Sequence, residues 1–276
     1  NNGEIPQEVK DESPAPENLY CPYDNSKSKC NNCKYVNTNS KRMLSASKEG
    51  SSTTPSAILR SNYEKHFDEL VSTRKKYRKP FYSVSEEYDK FRNVFVGNAA
   101  HHILSTNDVF AQNKLEYVLK LANFYEYDVN EPYNCIILPG TNMEDEKKKT
   151  ADHVKFGAMT DYEKRKIKFS AMRDTERQWH GGGHGINYEN EHNISCYAQE
   201  ASDLLYSYMK NEKKDHCRAD EKYYQKDKSE FIKKIHRVID IIRDKLISFD
   251  SNPQNSLPLY VSEDAYRYAF SSDNIR

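Results

Sequence analysis

One stripe near the C-terminus constrains this chain more than any other feature. Between about Lys228 and Phe249, the residues Phe231, Ile235, Val238, Ile239, Ile242 and Leu246 recur at spacings of three and four. That period gives a helix with a single apolar face, which other elements have to cover. Material for covering it is scarce. Only 36% of the 276 residues are hydrophobic and 30% are charged, so some loosely packed or disordered length is expected. Twenty-one tyrosines supply much of the remaining packing area. The length fits one large domain or two small ones.

The rest divides by composition. Residues 1–20 are rich in Pro, Glu, Asp and Asn and read as a disordered linker. Residues 21–95 form a cysteine-containing, helical N-terminal segment, with a helix expected from about Ala57 to Lys76. "FRNVFVGNAA" has strand character ending at Gly97. Asn107 and Asp108 can cap a helix carrying Phe110 to Phe124. "CIILPG" is a short apolar strand stopped by Pro139 and Gly140, and "HVKFG" with "KIKFS" suggests a hairpin. A helix follows from about Ile194 to Lys210. Residues 213–276 form a C-terminal helical segment.

Charge excludes one class. Lys plus Arg and Asp plus Glu both number 42, so the chain is not a globally basic nucleic-acid coat protein. Basic runs at Arg74–Lys79, Lys147–Lys149 and Lys164–Lys168 read either as solvated faces or as local phosphate contacts. No stretch has the length and apolarity of a membrane helix or signal peptide, so no membrane insertion is expected. The chain begins at Asn1 without methionine and reads as the C-terminal part of a longer protein.

The chemistry concentrates in "RQWHGGGHGINYENEHN", residues 177–193. Its "HGGG" matches an esterase oxyanion loop, but the Gly-x-Ser-x-Gly elbow which that site needs is absent. A zincin needs glutamate after the first histidine, where Gly181 stands. A phosphate loop ends in Gly-Lys-Ser/Thr, and Gly183 precedes His184 instead. What remains is a His-x-x-x-His pair, His180 and His184, able to reach one metal ion, or else a glycine loop with two ordinary histidines. Three glycines disfavour a helix, so His180 ends a loop and His184 opens a first turn.

A second cluster lies upstream. "NAAHHILS" sets His101 beside His102, and adjacent strand residues face opposite sides, so the two cannot share one task. Asn134 stands at the mouth of the "CIILPG" strand, where its side chain can fix a loop. The ordered set is His-His, Asn, Leu-Pro, His-x-x-x-His and a helix.

With these residues in that order, the chain resembles the HNH/endonuclease VII superfamily of ββα-metal nucleases, and within it the AHH group of bacterial toxin nucleases. Ala100, His101 and His102 carry the signature; Asn134 through Pro139 match the Asn and Leu-Pro segment; His180, His184 and Tyr188 match the second pair and its tyrosine. The resemblance covers about residues 97–210. It implies an α+β, mostly helical fold. A small ββα-metal core spans 96–212, with an insertion at about 141–178 and helical additions on both sides. It implies that His101, His180 and His184 hold one divalent ion, that His102 is the general base and that Asn134 positions it. Strand alternation also allows His101 and His102 to exchange roles. Imidazole donors favour Zn²⁺, Ni²⁺ or Mn²⁺ over Mg²⁺. It further implies a toxin, a secreted effector delivered through an N-terminal domain by a contact-dependent route such as type VI secretion. That effector acts on nucleic acid, DNA ahead of RNA, in the cytoplasm of a competing bacterium, and an immunity protein holds it in the producer's cytoplasm.

Other residues have less to say. Arg173, Arg177 and Lys166 can contact phosphate or simply face solvent. Trp179 reads as core and His192 as surface. Cys21, Cys30 and Cys33, with Cys217 or His216 as a fourth ligand, suit a second, structural zinc, or are reduced thiols. Cys135 and Cys196 read as small buried apolar residues. Against the nuclease stand a non-enzymatic, metal-stabilised interaction domain with structural histidines and a hydrolase of another ester.

Overall fold

In a computed structural model, the structure describes residues 55–70, 81–83, 95–140, 156–181, 184–185, 188, 190–210, 224–249 and 259–271. Helices dominate these residues and surround a small antiparallel sheet, an α+β arrangement. The elements are α1 (Pro55–Leu70), β1 (Phe81–Ser83), β2 (Phe95–His102), α2 (Glu116–Phe124), β3 (Cys135–Pro139), α3 (Asp161–Thr175), α4 (Tyr197–Met209), α5 (Tyr224–Leu246) and α6 (Glu263–Ala269).

Strand β2 lies between β1 and β3 and is antiparallel to both. It runs on past Gly97 through both histidines, beyond the expected strand end. Directly opposed residues share a face of the sheet. Ala100 faces Ile137 and His102 faces Cys135. Ala100, Cys135 and Ile137 pack with Leu59 and Tyr63 of α1. His101 faces Ile136 on the other side, where Ile136 and Leu138 enter the main core.

That main core is built on the stripe of α5. Phe231, Ile235, Val238, Ile239, Ile242 and Leu246 are all fully buried against residues of α2, α4 and the 103–110 segment. Each such side chain contributes roughly 1.5–3 kcal/mol on burial. A second cluster gathers Trp179 with Ile167 and Met172 of α3, Ile194, Tyr260 and residues of α6.

Two expectations fail. "KIKFS" belongs to α3 rather than to a hairpin. Its alternating lysines imitate a strand, but Thr160 and Glu163 close a reciprocal capping box just upstream, and Ile167, Ser170 and Ala171 share one buried helical face. The 107–124 region is not one helix capped by Asn107 or Asp108. Ser105 accepts from the Asp108 N–H and opens a π-helical turn, Thr106–Phe110, and α2 begins only at Glu116. In that turn the Phe110 and Ala111 amides bond five residues back, to Ser105 and Thr106, and Val109 and Phe110 are buried together. Helix α6 falls within the expected C-terminal helical segment. Cys21, Cys30, Cys33, Cys217, and the Arg74–Lys79 and Lys147–Lys149 runs lie outside the described residues.

Candidate metal centre

His101 reaches the site because β2 extends through it. Its ring, 2% exposed, points away from α1 and lies edge-on to His180 and His184, with ring centroids 5.0 and 4.7 Å away.

His180 arrives from α3. That helix stops at Glu176, in the left-handed region at φ 53°, and the next residues run back alongside the end of β3. The His180 N–H donates to the Pro139 carbonyl at 2.7 Å, and Gly140 and His180 form a parallel bridge. Only glycine fits at 140. A Cβ there would sit 2.0 Å from the His180 carbonyl oxygen. Arg177 closes the same strand edge, donating to the Ile137 carbonyl at 2.6 Å. Gln178 is fully buried and joins three segments. Its Nε2 donates to the carbonyls of Lys245, Ser248 and Leu259, and its Oε1 accepts from the Val261 N–H.

His184 sits in a turn whose carbonyl accepts from the Ala198 N–H at 3.0 Å, tying it to the first turn of α4. Tyr197, at the head of α4, packs its ring 5.2 Å from His101 and 5.4 Å from His184. Its hydroxyl donates to the Ile103 carbonyl. Gly182 and Gly183 lie outside the described residues.

One donor nitrogen from each of His101, His180 and His184 lies within 4.8 Å of the other two. His180 Nε2 and His184 Nε2 are 3.2 Å apart. His101 Nε2, His180 Nδ1 and His184 Nδ1 are buried without a hydrogen-bond partner. Burial is the main force on their protonation. It holds His101 well below the usual histidine range, helped by its neighbours His184, His180 and His102. It takes His180 down to about 3, with His184 adding to the effect. His184 is lowered too, against the opposing pull of Asp108 and the Val261 backbone. The rings are therefore neutral at pH 7, the form that ligates metal. Three converging neutral imidazoles, with His101 Nε2 buried and unpartnered and the Nε2 atoms of His180 and His184 close together, fit a divalent transition ion.

His102 turns to the other face of the sheet. Its Nε2 lies 2.9 Å from the Asn130 side-chain oxygen. Burial lowers its pKa, while the Asn130 bond and the Asp128 carboxylate raise it. Asn134 does not touch it. The Asn134 side chain is fully buried and bonds only backbone: it accepts from the Leu104 N–H and donates to the carbonyls of Leu104 and Val129. It is a loop clamp, and the partner of His102 is Asn130, which no sequence motif marks.

The remaining expected residues lie elsewhere. Lys166 lies over the Tyr162 ring and Arg173 pairs with Asp174, both on α3. Trp179 is buried core and Tyr188 packs on Tyr266. His192 is exposed and stacks on Phe270 at 3.9 Å. Cys135 and Cys196 are buried free thiols. Among the described residues, no helix is long and apolar enough to cross a membrane. Comparison with protein-family models, curated proteins and solved structures finds no match.

Proposed function

We propose that this chain is a metal-dependent endonuclease that hydrolyses phosphodiester bonds, with DNA as its substrate. The observation that carries the reading is the meeting of His101, His180 and His184, from segments some eighty residues apart in sequence, with His102 next to His101 on β2 but turned to the opposite face of the sheet. The antiparallel pairing of β2 with β3, and α4, whose Tyr197 packs on two of the rings, support the ββα part of this reading.

His101, His180 and His184 would hold the ion, and a bound divalent ion neutralises phosphate charge and stabilises the departing oxygen. His102 takes a proton from water. The water oxygen bonds to phosphorus as the bond from phosphorus to the leaving oxygen breaks, and that oxygen takes a proton from solvent. The products are a phosphate monoester and a free hydroxyl. Asp128 lies near enough to favour His102 once it is charged. In the toxin setting, the target is the genome of a competing cell and an immunity protein restrains the producer's copy.

The test uses the full chain with supercoiled plasmid and Zn²⁺, Ni²⁺, Mn²⁺ or Mg²⁺ in turn. Nicking that needs an ion, is abolished by a chelator and falls at least about a hundredfold in His102→Ala is the expected result. An ion that raises the melting temperature without any nicking would replace the nuclease with a metal-stabilised interaction domain.

A further inference from the structure

Asn130 is 7% exposed and belongs to no motif, yet its side chain meets the ring of His102. Its side-chain oxygen lies 2.9 Å from His102 Nε2. An amide oxygen only accepts, so the ring nitrogen facing it has to carry the proton. A neutral imidazole has one N–H, and the lone pair is then on Nδ1. The other tautomer would set two lone pairs against each other.

The amide is itself held from several sides. The Asn130 N–H donates to the Asp128 carboxylate at 2.8 Å, and its carbonyl accepts from Asn62 of α1 at 2.9 Å. Asn134 then acts on His102 at one remove. It ties Leu104, two residues after His102, to Val129, one residue before Asn130. Both ends of the His102–Asn130 pair are fixed to the same buried clamp.

We propose that Asn130 is the positioning residue of His102, fixing the ring as its Nε2–H tautomer and leaving Nδ1 as the atom that accepts a proton. The catalytic half of this statement rests on His102 being the general base; the tautomer does not.

Long-range proton–nitrogen correlation spectra of the ¹⁵N-labelled, metal-free full chain at mildly alkaline pH read the tautomer directly, with His102→Gln assigning the signals. The parent should show His102 protonated at Nε2. Asn130→Ala should show both tautomers in exchange, and Asn130→Asp, which keeps an acceptor in place, should return the ring to Nε2–H. In the plasmid assay, Asn130→Ala should lower kcat about tenfold at unchanged KM, and Asn130→Asp should recover most of it. A parent protonated at Nδ1, or a tautomer indifferent to Asn130→Ala, overturns the proposal; the parent spectrum decides this even where a variant fails to fold. A parent with the expected tautomer that cuts no nucleic acid keeps Asn130 as the positioning residue and removes the nuclease.

Discussion

His101 and His102 show how much one residue of offset means on a strand. Side chains alternate faces, so His101 joins two other imidazoles while His102 turns to an amide on the α1 side. The alternation was legible in the sequence, and so was the set His101, His180 and His184. Asn130 was not, because a single asparagine 28 residues from its partner leaves no pattern. Gly140 was legible as a strand stop but not for its larger role. It lets the His180 backbone run against β3, and a Cβ would collide with the carbonyl of His180 itself. Gly140→Ala should therefore displace His180 and weaken Zn²⁺ binding about 10–100-fold, the size of effect seen when a ligand loses its support. Calorimetric titration, with circular dichroism to check the fold, measures this. Unchanged affinity in a folded variant would mean that His180 is not a ligand.

Elements with one strong period were readable, and elements set by side-chain caps were not. The α5 stripe, the body of α4 and β3 all fall where hydrophobic spacing puts them. Helix α3 was misread because its lysines alternate, and the Thr160–Glu163 box outweighs that alternation. The π-helical turn after β2 was missed because no composition marks a five-residue bond. How the elements join depends on Gln178, whose side chain alone meets three carbonyls and one amide from the end of α5, Ser248 just beyond it and residues 259–261. Gln178→Leu keeps the bulk but strips this partner from the carbonyls of Ser248 and Leu259 and from the Val261 N–H, while the Lys245 carbonyl keeps its bond from the Ser248 N–H. The expected loss is at least about 3 kcal/mol, since each stranded group costs roughly 1–3 kcal/mol. Urea unfolding of the metal-free chain reads it. A loss below about 1 kcal/mol would mean that water reaches these groups.

At the scale of the whole molecule, the buried histidines make stability depend on pH in a direction that can be worked out. In the unfolded chain a histidine titrates near its ordinary value of about 6.5. In the folded chain burial, aided by neighbouring rings, holds His101 well below that, brings His180 to about 3 and lowers His184. Above the unfolded value both states are neutral and stability does not change with pH on their account. Between the two values the unfolded chain binds protons that the folded chain refuses, so stability falls as pH drops through that window. Each histidine contributes a slope of at most about 1.4 kcal/mol per pH unit. A divalent ion held by the three histidines would bind the same neutral rings and stabilise the fold by mass action, so acidification should also release it. Melting curves of the metal-free chain should therefore fall steadily from neutral pH toward pH 4, and His180→Gln, with no proton to take up, should flatten that fall by one histidine's share. Added Zn²⁺ should raise the melting temperature at neutral pH, with EDTA reversing the gain, and should do little in acid. A melting temperature that ignores both Zn²⁺ and acidification would mean that the three rings neither lose protons on folding nor share an ion.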